Sequence, residues 1–210
     1  MKAEPLFRNY EYLVDKADRA FQAAQEEYGN CIRCKRHCAD CCHAVFGLFL
    51  IEAASIKHHF DRLGIEERKA TLLRCNETER GLARLERKLR VHGEEPQLQA
   101  MIMAKERIRC PFLNDELDCV LYAHRPITCR VYGIPTRIQG KARVCGLSGF
   151  KEGETYPLFD LDGIYRELHT LSREFLSATG EESLEKASLL VSLAKAITTP
   201  TDQLIREIAG

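Results

Sequence analysis

Eight of the ten cysteines in this chain stand in two runs. The first, Cys31-x2-Cys34-x3-Cys38-x2-Cys41-Cys42, places five thiols in twelve residues. The second joins Cys110-Pro111-Phe112-Leu113, Cys119-x-Leu121-Tyr122 and Arg125-Pro126-x-x-Cys129-Arg130. Cys145 follows in a glycine-rich turn, and only Cys75 lies in a plain helical pattern. Thiols this dense are either oxidised in pairs or held by metal. The N-terminus, Met1-Lys2-Ala3-Glu4-Pro5, leads into a charged amphipathic stretch without a signal-peptide apolar region. The longest apolar run, Ala44–Ile51, is too short to span a bilayer. The chain is therefore expected in the reducing cytoplasm, and at 210 residues it can bury a core without disulfide staples. Metal is the better expectation, and a disulfide framework is the competing one.

Charge is balanced, with 31 basic and 31 acidic residues. That argues against a nucleic-acid surface or a polybasic membrane anchor. The partners expected are a metal ion or cluster, with room for a protein partner.

Periodicity predicts a mostly α fold: one helical domain, 1–210, with two cysteine-rich loops and a few short strands converging on a metal site. Leu6, Tyr10, Leu13, Ala17, Ala20, Phe21 and Ala24 recur at helical spacing before Gly29. This N-terminal helical segment, 5–28, flanks a cysteine-cluster core at 31–149. Ala44–Leu50 is read as a short strand or a buried entry. Glu52–Leu63 reads as a helix closed by Gly64. Glu66–His92 reads as a long charged helix ended by Gly93, with Leu72, Leu73, Leu82, Leu85 and Leu89 as its apolar stripe. Gln97–Arg109 is expected to be helical behind Pro96. Residues 110–150 alternate turn residues with short apolar pieces such as Arg130–Ile134 and read as irregular. C-terminal helices over 160–208 are expected at Asp160–Ala178 and Ser183–Ile197. Thr199 is expected to cap a last one, with Pro200 at its first position.

A tetrahedral zinc site commonly draws ligand pairs from two well-separated knuckles. Only three residues part Cys34 from Cys38, too few to face two knuckles across one ion. The run looks more like the crowded cysteine runs around an iron–sulfur cluster. Adjacent side chains are expected to diverge, so Cys41 and Cys42 point to a multinuclear centre or to two sites. Soft thiolates select zinc, copper(I) or iron–sulfur clusters. The candidate ligands are Cys34, Cys38, Cys41, Cys42, Cys110, Cys119, Cys129 and Cys145, with Cys31 a possible spectator. Eight thiolates fit two four-cysteine sites, or one cluster and one mononuclear site. A [4Fe–4S] cluster is the first expectation and zinc the second. Arg125 and Arg130 could offset the negative charge, and His37 and His43 could ligate or tune a metal. Cys75 reads as a small core residue.

The ordered set Cys-x2-Cys-Cys, Cys-Pro-Phe-Leu, Cys-x-Leu-Tyr and Arg-Pro-x-x-Cys-Arg-x-Tyr resembles the YkgJ-type cysteine-cluster family, a zinc- or iron-chelating domain, from about Cys34 to Gly149. By that resemblance Cys34, Cys38, Cys41, Cys42, Cys110, Cys119 and Cys129 fall on the family's cysteine positions, and Cys145 is similar to a later one in some members. Ala39 stands where Gly is usual, Cys34 to Cys38 is one residue longer than the common spacing, and Gly133 stands where Pro is common. The resemblance implies metal binding. Flagellin lysine N-methylases are similar in cysteine pattern, so a cluster-dependent protein lysine methyltransferase is one alternative. A zinc-stapled interaction module is another. The leading expectation is an iron–sulfur protein for electron transfer, metal handling or redox sensing. No phosphate loop, nucleophile elbow or His-Glu-x-x-His helix identifies a catalytic residue. Cys34-x3-Cys38-x2-Cys41 also matches the radical S-adenosylmethionine motif. The long charged helix that follows, in place of parallel βα units, makes that match coincidental.

Overall fold

The computed structural model describes residues 4–91, 95–181 and 183–209. Its centre is α2 (Leu50–Phe60), which buries Leu50, Ile51, Ala53, Ala54, Ile56 and Phe60. A helix apolar on nearly every face has to be enclosed. It is covered by α1 (Glu4–Tyr28), α6 (Leu161–Thr179) and α7 (Leu193–Thr198). α1 presents Leu6, Tyr10, Leu13 and Ala17 inward, at spacings of three and four residues. α6 presents Leu161, Ile164, Leu168, Leu171, Phe175 and Leu176. Asp160 caps α6 by accepting the Gly163 N–H at 3.0 Å, and Gly180, at φ +86°, closes it in the left-handed conformation.

The long helix α3 (Ile65–Val91) buries a stripe that shares Leu85 with the expected one but otherwise consists of smaller residues. Thr71, Cys75, Thr78, Gly81 and Leu85 face inward, whereas Leu73 is 72% exposed. Leu82 and Leu89 are half-buried beside that stripe. The inward face meets backbone, so small and hydroxylated residues serve it better than leucine. Thr78 Oγ1 donates to the Arg109 carbonyl at 2.8 Å, and Arg74 Nε donates to the Pro111 carbonyl at 2.8 Å. A Cβ on Gly81 would come within 2.8 Å of Ile108. α3 therefore supports the entrance to the second cysteine run. Gly93, expected as its stop, lies outside the described residues.

α4 (Pro96–Lys105) ends four residues before the expected Arg109, because residues 106–110 are pulled out straight. The Ile108 N–H donates to the His43 carbonyl at 3.0 Å, and the Cys110 N–H donates to the Cys42 carbonyl at 2.7 Å. The single helix expected over Ser183–Ile197 is likewise divided. A 3-10 turn at Leu184–Ser188 precedes an extended pair in which Val191 and Leu48 exchange backbone bonds of 2.8 and 2.9 Å. That exchange makes Ala44–Leu50 a buried entry with a single bridge. The last helix, α8 (Thr201–Ala209), starts from the Pro200 carbonyl, which accepts the Leu204 N–H at 2.8 Å; Thr199 instead ends α7.

One three-stranded sheet, ordered β2-β1-β3, completes the fold: β1 (Thr136–Ile138), β2 (Lys141–Arg143) and β3 (Phe159–Asp160). β1 and β2 form an antiparallel hairpin, and β3 runs parallel to β1. The short helix α5 (Ile127–Val131) lies within the segment expected to be irregular. The architecture is mostly α with a few short strands, as periodicity predicts, and the described residues form no barrel of parallel βα units. No helix among the described residues is long and apolar enough to cross a membrane.

Candidate metal centre

The first cysteine run leaves α1 at Gly29 and turns twice. His37, at φ +65°, makes the first bend, and the Cys38 N–H donates to the Lys35 carbonyl at 2.9 Å. The second bend is a 3-10 turn at Cys41–His43, closed by the Cys42 N–H on Ala39 and the His43 N–H on Asp40. The second run is folded on itself by a bridge between Leu113 and Cys119. Asn114 Oδ1 takes the Asp118 N–H at 2.8 Å and so closes the intervening turn. α5 then delivers Cys129. Glu52, buried in the central helix, accepts the Ile127 N–H at 3.1 Å and holds the start of α5 in place.

These folds converge. Cys34, Cys38, Cys41, Cys42, Cys110, Cys119, Cys129 and Cys145 all line one cavity of about 530 Å³, with Phe21, Phe46, Phe112 and Leu121 among its apolar walls. Cys31 does not line it; its carbonyl accepts the Gly149 N–H at 2.7 Å. Cys75 is buried in α3, away from the cavity. His37 stands at the rim, bonded through Nδ1 to the Glu116 carbonyl, whereas His43 turns back to the Ala39 carbonyl.

Cys41 and Cys42, expected to diverge, both line the one cavity from the tight 3-10 turn. Interaction with Cys129 above all, and then with Cys42, pushes the Cys41 thiol down, while interaction with Cys41 and burial push the Cys42 and Cys129 thiols up. Burial pushes Cys110 up to about 12 and Cys34 up to about 11.

Three of the cysteines share a local device. Cys145 Sγ accepts the Leu147 N–H at 3.4 Å; at Cys110 and Cys119 burial raises the thiols, and the N–H groups of Phe112 and Leu113 pull Cys110 back down as that of Leu121 does Cys119. In each case the donor two residues on is apolar. The Cys-Pro-Phe-Leu, Cys-x-Leu and Cys-Gly-Leu patterns are thus turns that aim backbone N–H at sulfur. Such bonds stabilise thiolates.

Of the two arginines expected to offset charge, Arg130 is otherwise engaged. It pairs with Asp18 at 2.6 Å and donates to the Arg125 and Ala123 carbonyls. Arg125 faces the thiols, lowering Cys41, Cys34 and Cys119, and stacks over Tyr122 at 4.0 Å. Its Nε is buried without a partner. An orphaned cationic donor beside soft thiols suits a negatively charged metal–thiolate centre.

Gly133 lies against the first run. A Cβ there would fall 2.2 Å from Cys34 Sγ, which accounts for glycine at this position. Sequence reasoning also missed Asp40, inside the first run: its Oδ2 accepts the Cys145 thiol at 3.3 Å, and its Oδ1 pairs with Arg107 at 2.5 Å. An acidic residue between Cys38 and Cys41 was the available signal. Among the described residues no three Cys, His, Asp or Glu side chains already converge on a single ion, so ligation requires thiols to turn.

Fold and site define a cysteine-lined metal-chelating protein. The chain belongs to the CxxCxxCC family, described as a zinc- or iron-chelating domain, whose family model matches residues 33–146, more than half of its length. This is the family that the cysteine spacing resembles, and it supports metal binding. No curated protein and no solved structure gives a match.

Proposed function

We propose that four of the five thiols Cys41, Cys42, Cys110, Cys119 and Cys129 hold an iron–sulfur cluster of the [4Fe–4S] kind. The protein then serves electron transfer, metal handling or redox sensing. The observation that carries this reading is the convergence of these thiols, from runs about seventy residues apart, on one largely apolar cavity. N–H donors to sulfur and the unpartnered Arg125 Nε add to it. Dense thiolates, low polarity and hydrogen bonds to sulfur are the features through which a protein holds such a cluster and sets its potential. A reducing cytoplasm suits ten free thiols. Protein prepared without oxygen is expected to be brown, with iron and acid-labile sulfide in equal amounts. Colourless protein carrying zinc but no sulfide after the same preparation refutes the cluster.

A further inference from the structure

The eight thiols are not evenly spread. Cys41, Cys42, Cys110, Cys119 and Cys129 act on one another as an inner group. Cys34, Cys38 and Cys145 line the same cavity, Cys34 is exposed, and Cys38 stands two residues before Asp40. Three thiols leave a tetrahedral ion one donor short. The fourth donor present is Asp40, which sits between Cys38 and the Cys41-Cys42 pair and whose Oδ2 accepts from the Cys145 thiol, sulfur to oxygen 3.3 Å. We propose that Cys34, Cys38, Cys145 and Asp40 form a second, outer site for a zinc-class divalent cation, with three sulfur ligands and one carboxylate oxygen.

The geometry suits an ion in place of the thiol proton. A sulfur at 2.3 Å and an oxygen at about 2.1 Å from a tetrahedral zinc stand about 3.6 Å apart, close to the separation seen here. The carboxylate is also oriented for the task. Asp40 Oδ1 is taken by Arg107, which donates again to the Asp40 carbonyl at 3.0 Å, so only Oδ2 faces the thiols. A positioned outer partner of this sort fixes a ligating carboxylate and offsets the charge of three thiolates and one carboxylate around a divalent ion. Cys145 further receives the Leu147 N–H, as a thiolate ligand would. Gly133 leaves the space in which the Cys34 sulfur sits. The inference rests on the cavity being a thiolate metal centre, but not on the identity of the inner metal.

The test is made on the full chain, kept anaerobic, as wild type and as Asp40→Asn, Asp40→Glu, Cys145→Ser and Arg107→Gln. Native mass spectrometry counts zinc and iron–sulfide separately, and competition with a chromophoric chelator gives zinc affinity. Wild type is expected to hold one zinc beyond whatever fills the inner thiols. Asp40→Asn and Cys145→Ser are expected to weaken that one zinc by about 10-fold or more, leaving the inner occupant in place. Asp40→Glu is expected to restore part of the affinity, and Arg107→Gln to cost less than Asp40→Asn. No zinc beyond the inner occupant overturns the outer site. Unchanged affinity in Asp40→Asn overturns the carboxylate ligand, as does a loss in Arg107→Gln equal to that in Asp40→Asn. An inner centre without sulfide, beside an outer zinc that still depends on Asp40, removes the iron–sulfur reading and leaves this one standing.

Discussion

Glu52 is 2% exposed in the first turn of the central helix, yet it carries a carboxyl group. Its Oε1 accepts the N–H of Ile127, and it also takes that of Phe49, so it ties α2 to the helix bearing Cys129. Burial nonetheless dominates, raising the group from 4.5 to about 7 against the pull of both N–H donors. An acid whose pKa is higher folded than unfolded binds its proton more tightly in the folded state. Its contribution to stability is full below pH 4.5 and is lost as pH rises through 7. At 1.36 kcal/mol per pH unit the loss comes to about 3 kcal/mol, a large share of a typical domain's margin. Glu52→Gln keeps an oxygen for the Ile127 N–H and removes the titration. Denaturant unfolding of both proteins at pH 4.5, 6 and 8, with reductant and chelator present, isolates the effect, because every other titrating group is common to both. The two are expected to be similar at pH 4.5, and the variant is expected to be about 3 kcal/mol more stable relative to wild type at pH 8. A difference that stays constant with pH, or a variant less stable at pH 8, would show that the two N–H bonds outweigh desolvation.

Three further outcomes are expected. Cys129→Ser should lower metal content and thermal stability together, because ligands distant in the chain convert metal affinity into folding free energy. Cys75→Ala should leave metal content unchanged and cost only packing, about 1 kcal/mol; equal metal loss at both positions, measured by elemental analysis, contradicts the site. Gly133→Ala should displace the Cys34 sulfur, since 2.2 Å leaves no room for a methyl. It should cost about 1–3 kcal/mol and reduce zinc uptake with the inner centre retained; uptake equal to wild type would show that Cys34 is free to move.

Composition and local spacing carried the ligand inventory and most of the helices. The apolar faces of α1 and α6 repeat every three to four residues, and Gly180 stops α6 whatever its neighbours do. The eight thiols that face the cavity were legible as dense runs of one soft donor. Local signals failed wherever a distant backbone competed. Residues 106–109 read as helix but are drawn straight by bonds from Ile108 and Cys110 to His43 and Cys42. The helix expected over Ser183–Ile197 is divided because Val191 pairs with Leu48. Leucines 72 and 73 read as a core stripe, but the face of α3 that meets residues 108–111 has room only for small side chains and needs hydroxyl and guanidinium donors. The same holds within the site. Spacing shows that Cys41 and Cys42 are adjacent, while the fold decides that both line one cavity from a 3-10 turn. Arg125 and Arg130 are equivalent in sequence, and only the position of Asp18 on α1 ties up one and leaves the other to the thiols. Periodicity and donor type are properties of a short stretch of chain. Which side chain meets which across more than sixty residues is set by packing around α2, and that is visible only in three dimensions.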